Sequence, residues 1–398
     1  MPCGDLPRHM NRGHHKPLEK FWLLPFIHQE VNTVFTSSSP SEFYTTTRKS
    51  CSTPDGKSGQ CIPILECQPI IDYVNAEKPL TPSVRTKLAR YTCGVQDGVT
   101  KVCCPSGKIQ VLTVEIPPPP DVTGHKNLHL LPEECGLIFS GNKIRNGEDA
   151  EFNEFPWMAL LSYKTANGPD FQCGGTIIND HYILTAAHCV VNVSFPLISV
   201  RVGEYDLGSK VDCSEKDECL PPVQDLEIEQ IIYPEDYNVT LYANDIALIR
   251  VASKIDLTRE NAHPICLPIL EEVRTREFNK GIVTGWGFTD PQGKTTDVLQ
   301  KVTLDSRKLS ICKNAYVVEP AIKLNHKQLC IGGIAKKDSC RGDSGGPFHV
   351  PLHFNEEGRY VQFGVVSIGP LYCGYEGVPG IYTKVTYYMD WILDNLKP

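Results

Sequence analysis

The seventeen cysteines of this 398-residue chain constrain its fold more than any other feature of the sequence. So many cysteines indicate an oxidising compartment, because disulfides are rare in the reducing cytosol. The triplets that begin at Asn192 and Asn238 match the acceptor pattern for N-glycosylation and agree with this interpretation. The sequence therefore predicts a secreted, disulfide-bonded glycoprotein.

Charge and hydropathy argue against two classes of partner. The net charge of −8 is opposite in sign to that of a typical nucleic-acid-binding protein. No stretch approaches the roughly 20 apolar residues that a membrane helix needs. Near the N-terminus a basic segment leads only to the apolar residues 21–27, a poor match to a secretory signal. We expect either an atypical signal or a start that differs from the natural one, and neither nucleic acid nor membrane as partner.

A cysteine-rich region follows a polar N-terminal segment. Residues 1–50, which include Cys3, are too polar to bury a core and are predicted to be disordered. A domain as small as residues 51–104 is rarely stable without disulfides, each worth about 2–4 kcal/mol. A zinc module is the alternative, but no Cys-x-x-Cys pair is present, and adjacent cysteines suit disulfides better. The cysteines of this region are Cys51, Cys61, Cys67, Cys93, Cys103 and Cys104.

The composition of the chain changes twice after this region. Residues 105–143 are predicted to form a linker, which the proline run at 117–120 makes stiff and extended. From residue 144 onward, short apolar runs separated by Gly, Pro, Asn and Asp are typical of an all-β sandwich or barrel. At the end, Tyr388, Ile392 and Leu396 recur every four residues and predict an amphipathic helix with Thr386 as its N-cap.

Three segments carry a catalytic pattern in the order His, Asp, Ser. His188 lies in Leu-Thr-Ala-Ala-His-Cys, Asp245 in Asn-Asp-Ile-Ala-Leu, and Ser344 in Gly-Asp-Ser-Gly-Gly-Pro. A serine hydroxyl is a weak nucleophile until a base takes its proton, and a histidine oriented by an aspartate can be that base. Each segment alone has an ordinary structural explanation, as a buried histidine or a turn residue. Together and in this order they predict nucleophilic catalysis.

Residues 144–398 resemble the chymotrypsin-like serine peptidases along their whole length. The resemblance implies two six-stranded antiparallel β-barrels with the active site between them and a C-terminal helix. It assigns His188 as the general base, Asp245 as the residue that orients it, and Ser344 as the nucleophile. The N–H groups of Gly342 and Ser344 would form the oxyanion hole.

The resemblance also implies specificity for arginine and lysine. Asp338 matches the carboxylate at the floor of the primary pocket in trypsin-like members, where it pairs with a basic substrate side chain. Gly369 and Gly380 match the small residues of the pocket walls. The alternative is that Asp338 is an exposed loop acid.

A further match indicates a zymogen. Cleavage after Lys143 would free the amino group of Ile144, which in the family inserts into the catalytic domain and pairs with the aspartate before the catalytic serine, here Asp343. The alternative is an ordinary exposed basic loop. A trypsin-like protease must act at Lys143, so the chain would have an upstream activating protease or activate itself.

The cysteine spacing of residues 51–104 resembles the clip domain of arthropod immune and developmental proteases. Spacing alone does not fix the connectivity of a disulfide framework. The two resemblances together imply the bridges Cys51–Cys103, Cys61–Cys93, Cys67–Cys104, Cys135–Cys266, Cys173–Cys189, Cys213–Cys219, Cys312–Cys330 and Cys340–Cys373. Cys3 is left over.

Within this clip-domain subgroup, the loop closed by Cys213 and Cys219 binds calcium. The resemblance implies carboxylate ligands from Glu204 and Asp212 and backbone carbonyl ligands from Asp206 and Ser209. Oxygen ligands of this kind suit Ca²⁺, whereas the alternative is an acidic, solvated loop. Catalysis itself would need no cofactor.

The sequence thus predicts an extracellular, hemolymph-type clip-domain protease of an innate immune cascade, leading to Toll activation or melanisation. Its partners would be an upstream activating protease, a downstream protein zymogen as substrate, and serpin inhibitors. One alternative is a catalytically silent clip-domain homologue that acts as a cascade cofactor. Another is a digestive trypsin-like enzyme, against which the clip domain and the specific activation site argue.

Overall fold

A computed structural model describes residues 49–76, 82–96, 98–107, 116–138, 148–288, 296–316, 322–334, 339–354, 357–370 and 374–398. Outside this part of the chain lie five residues for which the sequence makes a prediction: Cys3, Lys143, Ile144, Asp338 and Cys373. No helix within it is long and apolar enough to cross a membrane.

The N-terminal cysteine-rich region is a small four-stranded antiparallel sheet flanked by helices. The sheet order is β1-β2-β4-β3. Its core consists of Ile62, Ile70, Tyr91 and Val102 packed around the buried Cys67. Because this core is small, the disulfides supply much of what holds the region together. The elements are β1 (Lys49–Ser52), β2 (Ser58–Pro63), α1 (Gln68–Ala76), α2 (Pro82–Ala89), β3 (Thr92–Gln96) and β4 (Val99–Pro105).

The first half of the remaining chain closes into a six-stranded barrel. Apolar runs bounded by turn residues form strands that are buried along most of their length, as in Met158–Thr165. The closed order is β10-β11-β8-β7-β6-β9. After the short strand β5 (Glu148–Asp149), the barrel strands are β6 (Met158–Thr165), β7 (Gly168–Ile177), β8 (Tyr182–Thr185), β9 (Leu197–Val202), β10 (Gln224–Ile232) and β11 (Ala247–Val251).

The second half forms a second antiparallel barrel. Its order is β12-β15-β16-β17-β14-β13, closed by pairing of β12 with β13, and β5 adds to the outer side of β13. These two barrels confirm the predicted chymotrypsin-like architecture. The elements are α3 (Glu271–Arg274), β12 (Lys280–Gly285), β13 (Gln300–Arg307), α4 (Leu309–Ala315), β14 (Gln328–Ile331), β15 (Pro347–Phe354), β16 (Glu357–Ile368), β17 (Gly380–Lys384) and α5 (Met389–Asn395).

The C-terminal helix forms as predicted, but its predicted cap is wrong. Tyr388, Ile392 and Leu396 are all buried. The helix begins at Met389, whereas Thr386 lies in a 3-10 turn that directly continues β17. The Thr386 hydroxyl is buried and has no hydrogen-bond partner among the described residues. The tight turn out of the barrel therefore determines where the helix starts.

Part of the predicted linker packs against the peptidase region. Val122 and Leu131 are buried in the main core. The Asn127 amide donates to the carbonyl of Leu393, at 2.9 Å, and the Asn179 amide donates to the carbonyl of Leu130, at 3.0 Å. Residues 116–138, which we call the docked linker, are therefore an ordered part of the described structure.

A buried ion pair joins the second barrel to the segment that precedes the first barrel. Lys301 Nζ, on β13, lies 2.9 and 2.6 Å from the two carboxylate oxygens of Glu154. Their side chains are only 3% and 0% exposed. Each charge is therefore removed from water and depends on the other.

We expect Lys301→Met to destabilise the fold by about 3–5 kcal/mol, because it leaves the Glu154 charge buried without a partner. The double variant Glu154→Gln/Lys301→Met removes both charges and should recover most of that loss. Lys254→Met is the surface control, since its Nζ pairs with Asp180 while 70% exposed, and it should cost less than about 1 kcal/mol. Urea unfolding midpoints measure all three, and equal losses for Lys301→Met and Lys254→Met would contradict the prediction.

Candidate active site

Neighbouring strands of the first barrel bring His188 and Asp245 together. His188 lies in the 3-10 turn Ala187–Cys189 that follows β8, and Asp245 lies two residues before the start of β11, which pairs with β8. His188 Nδ1 is 2.7 Å from Asp245 Oδ2, and the His188 N–H donates to Oδ1 at 2.9 Å. The aspartate therefore fixes both the backbone and the ring of the histidine.

The second barrel holds Asp245 from the other side. The Ser367 hydroxyl, on β16, donates to Asp245 Oδ2, and the Thr383 hydroxyl, on β17, donates to the Asp245 carbonyl at 2.6 Å. Asp245 itself has no exposed surface. Sequence reasoning missed Ser367 and Thr383, since neither lies in a recognisable motif.

These contacts shift the titration of both residues. Burial alone would raise the pKa of Asp245, but the charge of His188 and the hydrogen bonds from His188 and Ser367 lower it below its usual value. Burial alone would lower the pKa of His188, but the Asp245 carboxylate raises it above its usual value. The pair therefore favours a charged imidazole beside an ionised carboxylate, as a general base requires after it has taken a proton.

Ser344 approaches this pair because the following glycine packs against the first barrel. The Gly174 N–H donates to the Ser344 carbonyl at 2.7 Å. A Cβ on Gly345 would lie 2.2 Å from the Thr185 hydroxyl oxygen, so only glycine allows this approach. Ser344 Oγ makes no hydrogen bond to the described residues, His188 included. Such catalytic hydrogen bonds often tighten only when substrate binds.

The backbone around Ser344 presents two free donors. Gly342 has a φ of +102°, in the region that favours glycine. A Cβ at this position would lie 2.8 Å from the Gly287 Cα. Across the described residues, no acceptor takes a hydrogen bond from the Gly342 or Ser344 N–H groups. Both are thus available for the oxyanion of a tetrahedral intermediate.

Among the described residues, the groups that hydrogen-bond to the enclosed Asp343 carboxyl are two backbone amides. Gly287 N donates to Oδ1 at 3.0 Å, and Cys340 N donates to Oδ2 at 2.7 Å. Burial raises the pKa of Asp343 to about 6, although these two hydrogen bonds act in the opposite direction. Within the described part of the chain, no cation lies within ion-pair distance of this carboxylate. Its environment is suited to receive a positive charge.

Of the predicted pocket residues, the two glycines are in the described part of the chain. A Cβ on Gly369 would meet nothing within 4 Å, whereas one on Gly380, at the start of β17, would lie 2.9 Å from the Tyr382 ring. No sequence motif pointed to Ser339, the neighbour of Asp338. The Tyr382 hydroxyl donates to Ser339 Oγ at 2.7 Å, and both residues are buried.

The acidic loop, residues 204–220, brings the two predicted carboxylate ligands of calcium to one backbone amide. The Tyr205 N–H donates to Glu204 Oε1 at 3.1 Å and to Asp212 Oδ2 at 3.0 Å. Ser209 Oγ donates to Asp212 Oδ1 at 2.6 Å. Burial and then the charge of Asp212 raise the pKa of Glu204, even though Arg201 acts to lower it. Two nearly buried carboxylates thus face each other, and a cation would relieve their repulsion.

The disulfides follow the implied pairing wherever both cysteines are described. Cys340 is also disulfide-bonded. His188 lies close to Cys173 and Cys189, but their bridge removes the thiolates that a metal would need. The bridges are Cys51–Cys103, Cys61–Cys93, Cys67–Cys104, Cys135–Cys266, Cys173–Cys189, Cys213–Cys219 and Cys312–Cys330. Both sequon asparagines, Asn192 and Asn238, are exposed.

Comparisons with known proteins match this geometry. The family described as Trypsin matches residues 144–392, and the one described as Regulatory CLIP domain of proteinases matches residues 51–104. The chain is 36% identical to Serine protease grass of Drosophila melanogaster, over 87% of this chain and 90% of that one. It is 38% identical to Phenoloxidase-activating factor 3 of Holotrichia diomphalia, over 88% and 95%. The crystal structure of the Drosophila Grass clip serine protease of the Toll pathway superposes with a TM-score of 0.61 at 34% identity, covering 87% of this chain and 97% of that one.

We expect Asp245→Asn to lower kcat on the order of 10⁴-fold, because the imidazole loses the carboxylate that orients it and stabilises its charge. The acidic limb of the kcat/KM profile should move to lower pH, since burial of His188 would then act on its pKa without the opposing carboxylate. Hydrolysis of a lysine or arginine ester by the cleaved enzyme measures both effects. Asp256→Asn, at an exposed aspartate, is the control, and an unmoved acidic limb in Asp245→Asn would contradict the assignment.

Proposed function

The chain belongs to the trypsin family of serine endopeptidases and carries a regulatory CLIP domain, and on this premise we propose that it is a secreted zymogen activated by cleavage after Lys143. The active enzyme would cleave protein substrates after arginine or lysine in an extracellular immune cascade. The observation that carries the proposal is the enclosed Asp343 carboxylate beside a formed His188–Asp245 pair. The site has its base in place and a buried negative charge that a new amino terminus would neutralise.

The strand register supports the reach of that amino terminus. Asp149 on β5 pairs with Gln300 on β13, which pairs with Gly285 on β12. A Cβ on Gly285 would lie 2.2 Å from Asp343 Oδ1. Neighbouring strands are about 4.8 Å apart, so Asp149 is roughly 10 Å from Gly285. The four residue-to-residue steps from Ile144 to Glu148 can span about 13–14 Å, enough to bring the Ile144 amine to Asp343.

Peptide hydrolysis would use His188, Asp245 and Ser344. Ser344 Oγ would attack the carbonyl carbon of the scissile bond while His188 Nε2 takes the hydroxyl proton. The resulting oxyanion would accept hydrogen bonds from the N–H groups of Gly342 and Ser344. His188 would then give its proton to the leaving amine, and a water molecule would hydrolyse the acyl-enzyme by the reverse proton path. Asp245 would hold the imidazole in position throughout both steps.

Specificity for basic residues is assigned to Asp338. The supporting observation is the buried Ser339 beside it, held by the Tyr382 hydroxyl. A rigid neighbour helps a carboxylate keep one position for pairing with a substrate guanidinium or ammonium group. Gly369 and Gly380 would leave room for the long substrate side chain.

The cascade role draws on the relatives. Their names include a protease of the Toll pathway, a phenoloxidase-activating factor and Melanization protease 1 of Drosophila melanogaster. We infer a protein zymogen as substrate, a trypsin-like protease as activator and serpins as inhibitors. The many disulfides and the exposed sequon asparagines support an extracellular location. A silent cofactor is disfavoured because His188, Asp245 and Ser344 are all present, and a digestive role is disfavoured by the CLIP domain.

A structural calcium ion in the acidic loop is a separate proposal. The residues present fit such an ion, because Glu204 and Asp212 are nearly buried, face each other and share one N–H donor. Their carboxylates would bind the ion together with the backbone carbonyls of Asp206 and Ser209. The ion would stabilise the loop and take no part in peptide hydrolysis.

Cleavage of the wild-type zymogen by a trace of trypsin-like protease should yield a new chain that starts at Ile144, together with hydrolysis of arginine and lysine esters. Lys143→Ala should remain inactive because the amino terminus is not released. Ser344→Ala should be cleaved at the same bond and still show no hydrolysis. N-terminal sequencing and ester assays provide the measurements, and clean cleavage of the wild type without activity would refute the activation proposal.

Saturating calcium should raise the thermal midpoint of the zymogen. At about 100 times the dissociation constant the expected stabilisation is about 2.7 kcal/mol, or roughly 5–10 °C for a domain of this size. Asp212→Asn should lose most of this shift, whereas magnesium should give little in the wild type, because it dehydrates reluctantly and needs stricter geometry. Differential scanning calorimetry distinguishes these cases, and an equal calcium shift in Asp212→Asn would rule out this site.

A further inference from the structure

Tyr205 contacts three parts of the molecule that must be aligned for activation. It lies near the start of the acidic loop, and its hydroxyl contacts the stretch that follows the activation site. Its carbonyl accepts from Trp286, the neighbour of the Gly287 that contacts Asp343. We call residues 148–154 the activation stem, because they are the first described residues after Lys143 and Ile144.

Every polar group of Tyr205 is engaged. Its N–H donates to the carboxylates of Glu204 and Asp212, at 3.1 and 3.0 Å. Its carbonyl accepts from Trp286 Nε1 at 3.2 Å and from the Leu299 N–H at 3.0 Å. Its hydroxyl donates to the carbonyl of Ala150 at 2.9 Å. One residue therefore connects the acidic loop, the second barrel and the activation stem.

Three hydrogen bonds form a closed ring that includes Ala150 of the stem. The Ala150 N–H donates to the Leu299 carbonyl at 2.7 Å, the Leu299 N–H donates to the Tyr205 carbonyl, and the Tyr205 hydroxyl returns to Ala150. Ala150 is thus held through both its N–H and its carbonyl. Because it directly follows β5, this ring determines the direction in which the stem leaves the barrel.

The same residue also supports the surroundings of Asp343. Trp286, whose indole donates to Tyr205, is followed by Gly287, whose N–H donates to Asp343 Oδ1. The far end of the stem is fixed independently, because Glu154 accepts from the Glu151 N–H at 2.7 Å and pairs with Lys301. Tyr205 therefore adds to the pairing of β5 with β13 a contact that links the near end of the stem to the surroundings of Asp343.

We propose that Tyr205 is a positioning residue for zymogen activation, which aligns the activation stem so that the amine of Ile144 reaches Asp343. The inference rests on the proposed cleavage after Lys143. A stem that is already ordered loses less conformational entropy when the residues before it insert. The acidic loop shares the Tyr205 N–H, so the arrangement of its carboxylates bears on the same alignment.

The test compares two tyrosines that each donate one hydroxyl hydrogen bond to a backbone carbonyl on the N-terminal side of the enzyme. Tyr205→Phe loses the bond to Ala150, and Tyr387→Phe loses the 3.0 Å bond to Pro117 in the docked linker. Both variants and the wild type are cleaved, and N-terminal sequencing verifies a start at Ile144. The pH dependence of ester hydrolysis and the carbamylation rate of the Ile144 amine by cyanate are then measured.

We expect Tyr205→Phe to lower the insertion constant about 3- to 10-fold, as for loss of one hydrogen bond. The alkaline limb of activity, where the inserted amine loses its proton, should move down by about 0.5–1 pH unit, and carbamylation should accelerate. Tyr387→Phe should match the wild type in both. The groups facing Tyr205 are the carboxylates of Asp149, Glu154, Glu204, Asp206 and Asp212. Lys301, paired with Glu154, is common to all variants.

A Tyr205→Phe enzyme with the alkaline limb and carbamylation rate of the wild type would overturn the inference. If the wild type itself gains no activity on cleavage, the activation proposal fails instead, so the two failures are distinguishable. Thermal midpoints before and after cleavage separate positioning from general stability. Positioning reduces the rise in midpoint on cleavage, whereas an equal loss in both forms would also overturn the inference. Phe152→Leu, which removes an edge contact to the Tyr205 ring at 5.5 Å, provides a second variant and should shift the limb in the same direction by less.

Discussion

The buried carboxylate of Asp245 determines how the two barrels fit together. A charge without exposed surface is tolerated only when its oxygens are fully engaged. Here the first barrel provides the N–H and ring of His188, and the second provides the Ser367 hydroxyl to the carboxylate and the Thr383 hydroxyl to the Asp245 backbone carbonyl. Any relative displacement of the barrels would leave that charge unsatisfied. The requirement that orients the catalytic base is therefore the one that aligns the halves of the enzyme.

Asp245 and Asp343 show how environment gives two buried aspartates opposite properties. Asp245 has a partner that can carry positive charge, and its pKa lies below the usual value. Asp343 accepts from two backbone amides among the described residues, and burial raises its pKa to about 6. The first is a completed interaction within the described structure. The second is poised for a cation, which agrees with the proposed activation.

The sequence predicted those features that depend on short motifs. The segments around His188, Asp245 and Ser344 carry their glycines and cysteines with them, so the barrels and the enzyme class followed from the family resemblance. Ser367 and Thr383 could not be predicted, because they meet Asp245 only through strands more than a hundred residues away. The Thr386 cap was wrong because the turn leaving β17, a tertiary constraint, overrides a local capping preference. The hydrogen bonds of Tyr205 likewise depend on three separate segments and leave no local signature.

Because of the docked linker, cleavage after Lys143 would not release the N-terminal part of the chain. Residues 116–138 are held by the Cys135–Cys266 bridge, by Val122 and Leu131 in the core, and by hydrogen bonds to the C-terminal helix. Cutting the backbone at Lys143 would therefore separate two polypeptides without producing two molecules. Dilution could not disperse the halves, and the CLIP domain would travel with the active protease. Activation would switch on catalysis while the CLIP domain stays attached to the enzyme.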